Sequence, residues 1–303
     1  MTALPQAPVP VSVIVPTVGR RELLARCLRS VLACDPPPAE VVVVDQSGAT
    51  AVGELLAELG SPAVVRVACD GRGTARAMNT GLAAATHDTV LVTHDDCTVA
   101  ADWVGVGARF AAWYPGAIVT GRVLPPEGVG YVPSTKTDRR PHDFTGTRTS
   151  GVLYPANMVA SRRALLDIGG FDERRTLLVA EDNDLCYRWL TEGRALRYEP
   201  DLVVWHHDWR TPEQLVRTHV AYARAQGGFY AKHLHAGDGR IVALLAWDLR
   251  KGARSLVRGL VRRRPRWEDP YREMTLSLLV GLVAGWREAR ALERDRRGRA
   301  PSR

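Results

Sequence analysis

Short runs of β-branched and aliphatic residues alternate with helically spaced segments over the first 95 positions. Val11–Val15 reads as a buried strand closed by Pro16-Thr17, and Val41–Val44 as a second, closed by Asp45-Gln46-Ser47-Gly48. Such near-continuous apolar runs mark strands covered on both faces. Between them, Leu23, Leu24, Cys27, Leu28, Val31 and Leu32 share one face of a helix over 21–32, which the run 34–38 breaks. A helix over 51–59, a strand over 63–68, the turn Gly71-Arg72-Gly73, a helix over 74–85 and a strand over 89–93 follow. This β-α-β-α-β-α-β order predicts a parallel sheet with helices on both faces. Right-handed crossovers bring its strand ends to one rim, where ligands bind in open α/β sheets. Asp45, the 71–73 turn and His94-Asp95-Asp96 are expected there.

The pattern then loosens. A helix over 103–113, a strand over 117–123, a long loop or lid over 125–148, helices over 161–168 and 181–192, and a strand over 202–205 ending in His206-His207 are expected. Beyond Pro212 the spacing is helical over 212–234, 241–264 and 271–294. The expected division is an α/β part over 1–210 and a helical extension over 211–303.

Charge sharpens that division. The net charge is +8, yet residues 240–303 hold 17 Lys/Arg against 7 Asp/Glu, a balance of +10 that leaves −2 for the rest. Ile241, Leu244, Leu245, Leu249, Leu256, Leu260 and Val261 form an apolar stripe flanked by Arg250, Lys251, Arg254, Arg258 and Arg262–Arg264. Two readings are open: a peripheral contact with an anionic membrane through residues 240–303, or a docking helix with a solvated basic face. The basic residues lack aromatic interleaving, which argues against nucleic acid. Residues 1–10 show no signal-peptide pattern, and no apolar run reaches the ~18–20 residues of a membrane span. The five cysteines (27, 34, 69, 97, 186) are odd in number and form no CxxC pair, which points to a reducing, cytoplasmic setting.

The densest chemistry is His94-Asp95-Asp96. Adjacent like charges at a strand end repel, and a hard divalent cation turns that repulsion into coordination. The alternative is a solvated turn in which Asp96 or Thr98 caps a helix starting near Ala100. Further along, Glu181, Asp182 and Asp184 crowd one helix start, where acidic residues also complement the helix dipole.

Val13-Ile14-Val15-Pro16-Thr17, Val42-Val43-Val44-Asp45, Asn79-Thr80-Gly81, Asp95-Asp96, Gly169-Gly170-Phe171-Asp172-Glu173 and Glu181-Asp182-Asn183-Asp184-Leu185, in that order, resemble the family 2 glycosyltransferases over residues 10–210. The resemblance implies a GT-A fold: a Rossmann-like, mostly parallel sheet with helices on both faces, here with a helical C-terminal extension. It implies inverting transfer of a sugar from a nucleotide-sugar donor, with a UDP-sugar favoured, to a glycan, lipid-linked or natural-product acceptor. It also implies a divalent cation, Mn²⁺ or Mg²⁺.

On the matching positions, Pro16, Thr17, Arg20, Asp45, Arg72, Asn79 and Asp95 are the expected donor contacts. Asp45 either accepts from a base imide or caps the next turn through Ser47 or Gly48. Arg72 and Arg76 are either phosphate contacts or exposed structural arginines. Asp96 is the expected metal ligand, with His94, where relatives usually carry Asp, and His206 as further candidates. His94 and His206 are also open as non-ligands. Asp182 is the expected catalytic base, with Glu181 or Asp184 as alternatives, because an acceptor hydroxyl needs a carboxylate to take its proton. Asn157 and Asp184 are expected on the acceptor side, and Trp103, Trp205 and Trp209 either stack on sugar or fill the core. A sugar-1-phosphate nucleotidyltransferase is the alternative enzyme, although Pro16-Thr17-Val18-Gly19-Arg20 lacks its repeated glycines. A catalytically inactive nucleotide-sugar-binding protein is the other alternative, motivated by His94.

Overall fold

The computed structural model describes residues 7–129, 132, 134–146, 151–207, 210–262 and 273–299. They gather into two bodies, one within residues 1–172 and 185–208 and the other within 173–184 and 209–303.

The first body runs β1 (Val9–Thr17), α1 (Arg21–Leu32), β2 (Pro38–Asp45), α2 (Thr50–Leu59), β3 (Val64–Ala68), α3 (Thr74–Ala84), β4 (Thr89–Val92), β5 (Cys97–Val99), α4 (Trp103–Trp113), β6 (Ile118–Leu124), β7 (His142–Phe144), β8 (Met158–Ser161), α5 (Arg162–Asp167), most of α6 (Glu181–Thr191) and β9 (Leu196–His206). The sheet order is β3-β2-β1-β4-β8-β6-β9-β5, with β7 on β9. Its β3-β2-β1-β4 half is parallel, as the alternating pattern predicts. The other half is mixed, because β8 runs antiparallel to both β4 and β6 while β6 and β9 are parallel.

Alternation along the strands builds two cores. Val13, Val15, Val41 and Val43 pack with Leu24, Leu28 and Trp103 on one face. Ile14, Val42, Val44 and Val92 pack with Met78, Leu82, Leu165 and Trp189 on the other. Helices therefore cover both faces of the strands, which explains why they read as unbroken apolar runs. Gly81 serves this packing: a Cβ there would lie 2.4 Å from Ile14 Cγ2.

Four elements depart from the sequence expectation. β5, β7 and β8 were not expected as strands, and β9 begins at Leu196 instead of 202. Pro200-Asp201 interrupts the β9 pattern, and the β6–β9 register shifts there, between Gly121 and Arg122. A proline at such an irregularity leaves the ladder intact on either side. The alternative reading, a helix capped near Ala100, is not realised: Cys97–Val99 pairs antiparallel with His206–Val204.

The second body holds α7 (Pro212–His235), α8 (Arg240–Arg262), α9 (Met274–Arg299) and residues 173–184. Thr211 and Gln214 close α7 with reciprocal side-chain-to-backbone bonds of 3.3 and 2.8 Å. Where α7 crosses α9, glycines let the backbones touch. A Cβ on Gly281 would lie 1.8 Å from Arg224 O, and one on Gly227 2.1 Å from Leu278 O. Ile241 and Leu244 are buried, and Leu245, Leu249 and Leu256 are partly buried. Of the two readings of this stripe, most of it takes the docking one, with Leu260 and Val261 as its exposed end. Among the described residues, no helix is long and apolar enough to cross a membrane.

Candidate active site

The register places Thr17 beside Asp45 at the carboxyl ends of β1 and β2. Gln46 bridges this rim to the glycine turn, donating to Gly71 O at 3.1 Å and Gly73 O at 3.2 Å. Gly71 and Gly73 have φ of +88° and +121°, conformations that side chains resist. Sequence reasoning missed Gln46, although it lies within the Asp45–Gly48 turn it singled out.

The acidic pair sits at the same rim and is buried, Asp95 at 1% exposure and Asp96 at 4%. Its repulsion is met by a resident cation. The Arg20 guanidinium bonds both oxygens of Asp95, through Nη2 and Nε, and its Nη1 lies 3.2 Å from Asp96 Oδ2. Thr17 donates to Asp95 Oδ2 at 2.7 Å and accepts from Gly19 N at 3.1 Å. Burial alone would lower the Arg20 pKa, but its bonds to Asp95 and the charges of Asp95 and Asp96 raise it above its usual value. Arg20, expected as a donor contact, is first of all the clamp that lets two carboxylates share this space. Pro16 is partly buried at the end of β1.

Asp96 faces His206, whose Nε2 is 3.7 Å from Asp96 Oδ2. The main chain fixes that approach, since His207 N donates to Asp96 O at 2.8 Å. Burial opposes ionisation of Asp96, but His206, His94 and Arg20 outweigh it and hold the carboxyl well below the usual range. Among the described residues no three His, Cys, Asp or Glu side chains gather as a ligand set. Of the two histidine candidates, half-buried His94 acts on Asp96 through its charge. Asp96 and His206 do fit one ion as a pair, because ligand atoms each about 2.1 Å from a shared cation stand roughly 3–4 Å apart.

Three of the expected contacts are engaged in hydrogen bonds within the protein. Asp45 is saturated: Oδ1 accepts Ser47 N and Oγ, and Oδ2 accepts Arg66 Nε at 3.1 Å and Nη2 at 2.6 Å. The turn-capping reading is thus the one realised, and base recognition through this carboxylate requires Arg66 to let go. Asn79 clasps Phe171 in both directions, donating to its O at 2.8 Å and accepting from its N at 2.9 Å. Its amide holds the Gly169-Gly170-Phe171 turn. Asn157 is fully buried, and its amide accepts from Trp103 Nε1 and donates to Arg122 O and Leu202 O, all at 2.9 Å. It is a core staple with no donor left for an acceptor sugar. Trp103 is accordingly a core residue, and Trp205 lies partly buried in β9. Arg72 is exposed at the glycine turn, and Arg76 donates to Asp70 O at 3.1 Å. Trp209 lies outside the described residues.

In the second body, the start of α6 sorts its three carboxylates. Glu181 is buried, its Oε2 has no hydrogen-bond partner among the described residues, and burial followed by the Asp182 charge pushes its pKa well up. Asp184 is locked between Lys232 Nζ at 2.6 Å and His233 Nε2 at 2.8 Å. Asp182 is half-buried, and its Oδ1 accepts Asn183 N at 2.7 Å.

The segment before α6 is bolted to the C-terminal helices. Glu288 of α9 accepts Arg175 N at 3.0 Å, Thr176 N at 3.1 Å and the Thr176 hydroxyl. Asn183 donates to Gln226 of α7 at 3.0 Å, and Gln226 donates on to Tyr230, which bonds Asp248 of α8. These supports were not legible in the sequence, because residues 112 positions apart carry no local signal.

Solved structures share this architecture. The mannosyltransferase PcManGT from Pyrobaculum calidifontis, in complex with GDP-Man and Mn²⁺, superposes with a TM-score of 0.62 at 21% identity, covering 93% of this chain and 88% of that one. S. aureus TarS 1–349 in complex with UDP gives a TM-score of 0.55 at 17% identity, over 97% and 93% of the two chains. The fold is that of the GT-A glycosyltransferases. Residues 7–225 match the family described as glycosyltransferase like family 2, and the chain belongs to it. It is 30% identical over 306 residues to the pre-mycofactocin glycosyltransferase of Mycobacterium tuberculosis, covering 93% of this chain. It spans 58% of that relative's length.

Proposed function

We propose that the protein transfers a sugar from a nucleoside-diphosphate donor to an acceptor hydroxyl, with inversion and with a divalent cation. The observation that carries this reading is the buried Asp96, kept ionised at the rim of β4 and facing His206 at 3.7 Å. Asp96 and His206 would hold Mn²⁺ or Mg²⁺, which would supply positive charge against a leaving nucleoside diphosphate. PcManGT carries GDP-Man with Mn²⁺ and TarS carries UDP or UDP-GlcNAc, which supports a nucleotide-sugar donor. A UDP-sugar is the favoured donor.

Asp182 is the proposed base. Burial, then the Asp182 charge, raises the Glu181 pKa and disfavours the ionised form that would accept a proton. Asp184 is committed to Lys232 and His233. Asp182 remains to take the acceptor proton as the hydroxyl attacks the anomeric carbon, and a single in-line displacement inverts that centre. The pre-mycofactocin relative favours a natural product among the acceptor classes, while the basic extension favours a lipid-linked or membrane-proximal one. Five buried cysteines, none in a disulfide, suit a cytoplasmic setting, with peripheral membrane contact through residues 240–303.

A panel of nucleotide sugars, scored by thermal shift with and without Mn²⁺, tests the donor site. Wild type should show one preferred, Mn²⁺-enhanced donor, and Asp96→Ala should lose that enhancement. Asp182→Asn should bind the donor and lose transfer by about 10²–10⁴-fold. Equal donor binding by Asp96→Ala with and without Mn²⁺, or full transfer by Asp182→Asn, would remove those residues from their roles.

A further inference from the structure

The outward face of α9 carries a two-part stripe. Leu276, Leu279, Val280 and Val283 are between 43% and 77% exposed. Arg287, Arg290, Arg294 and Arg297 follow, all exposed, with the Arg290 guanidinium over the Trp286 ring. At ~100° per residue these eight positions fall within about a third of the helix circumference. From Leu276 to Arg297 the stripe is about 32 Å long at ~1.5 Å per residue. Beside its apolar end, α8 contributes exposed Val257, Leu260 and Val261, since Gly252 of α8 abuts Met274 and Thr275.

We infer that this face of α9 docks on an anionic lipid bilayer, with its leucine–valine half entering the acyl boundary and its arginine half on the phosphates. The inference deepens the membrane contact proposed above and moves it from the α8 stripe, which is mostly buried, to α9. The chemistry selects the partner. Solvated apolar residues gain by entering an interface, and arginines gain beside anionic headgroups. A second copy of the chain offers neither match. Parallel pairing sets arginines against arginines, and antiparallel pairing buries arginines on leucines. The one acidic residue of the patch, Glu293, is already shared between His235 and Arg297.

The test is flotation of the full chain with phosphatidylcholine vesicles, with and without phosphatidylglycerol. Truncation is unsuitable, because removing residues 240–303 also removes Glu288 and Asp248, which brace residues 173–184. Wild type should float with the anionic vesicles. Arg287→Gln with Arg294→Gln should weaken that binding about 25-fold, at about five-fold per basic residue. Leu276→Ser with Val280→Ser should weaken it too, while both variants keep the wild-type circular dichroism and Tm. Failure of wild type to float, or wild-type binding by both double variants, overturns the inference. So does a concentration-dependent dimer that the same substitutions dissolve. Because flotation needs no turnover, a protein that floats but transfers no sugar refutes only the catalytic reading, and one that transfers to a soluble acceptor but never floats refutes only this one.

Discussion

Replacing Asn157 distinguishes a core staple from an acceptor contact. Its side chain makes three buried hydrogen bonds of 2.9 Å, tying the α4 indole to the main chain of β6 and β9. At about 1 kcal/mol net per bond, Asn157→Ala forfeits about 3 kcal/mol. The orphaned Trp103 N–H adds about 1–2 kcal/mol, since an unsatisfied buried donor keeps its desolvation cost. The expected loss is thus about 4–5 kcal/mol, or about 10–15 °C in Tm for a protein of this size. Asn157→Asp should be worse, because it sets a carboxylate against two carbonyl oxygens. Urea unfolding gives the stability, and initial rates at saturating donor give the acceptor KM. An unchanged Tm with a raised acceptor KM would refute the reasoning and restore Asn157 to the acceptor side.

Glu288→Gln should loosen residues 173–184 by about 1.5–3 kcal/mol, the usual worth of hydrogen bonds to a charged group. Faster amide exchange confined to that segment, with kcat lowered and donor affinity intact, is the expected result; unchanged exchange would show that Glu288 is not the brace. Glu181 has a raised folded pKa, so its protonated form is favoured in the fold and stability declines as pH climbs from the unfolded value near 4.3 toward the folded one. Glu181→Gln should therefore gain stability relative to wild type as pH rises through the range above the unfolded value. A constant difference across that range, measured by thermal unfolding, would show that Glu181 ionises normally.

The rim was legible because its elements are local. Each of Val11–Val15, Val41–Val44 and Thr89–Val92 is a short apolar run ending in polar residues, and parallel crossovers place such ends together. The strand pairs that escaped notice depend on distant partners. Met158–Ser161 is only four residues long and is a strand because β4 and β6 flank it. The candidate site followed the same division. Asp95 and Asp96 stood out as adjacent charges, whereas the Arg20 clamp and the Arg66 bond to Asp45 required the fold.

By itself, the sequence determined the α/β order, the family, the acidic rim and the helical, basic extension, since periodicity and adjacent charges are properties of neighbouring residues. Only the tertiary structure decided what each polar group does. It tied Asn79, Asn157 and Asp184 into internal supports, because a buried polar atom must be paired and its partners lay 35 to 92 positions away. It also decided which apolar stripe of the extension is covered, since one face of α8 docks on its neighbours while the outer face of α9 stays in solvent.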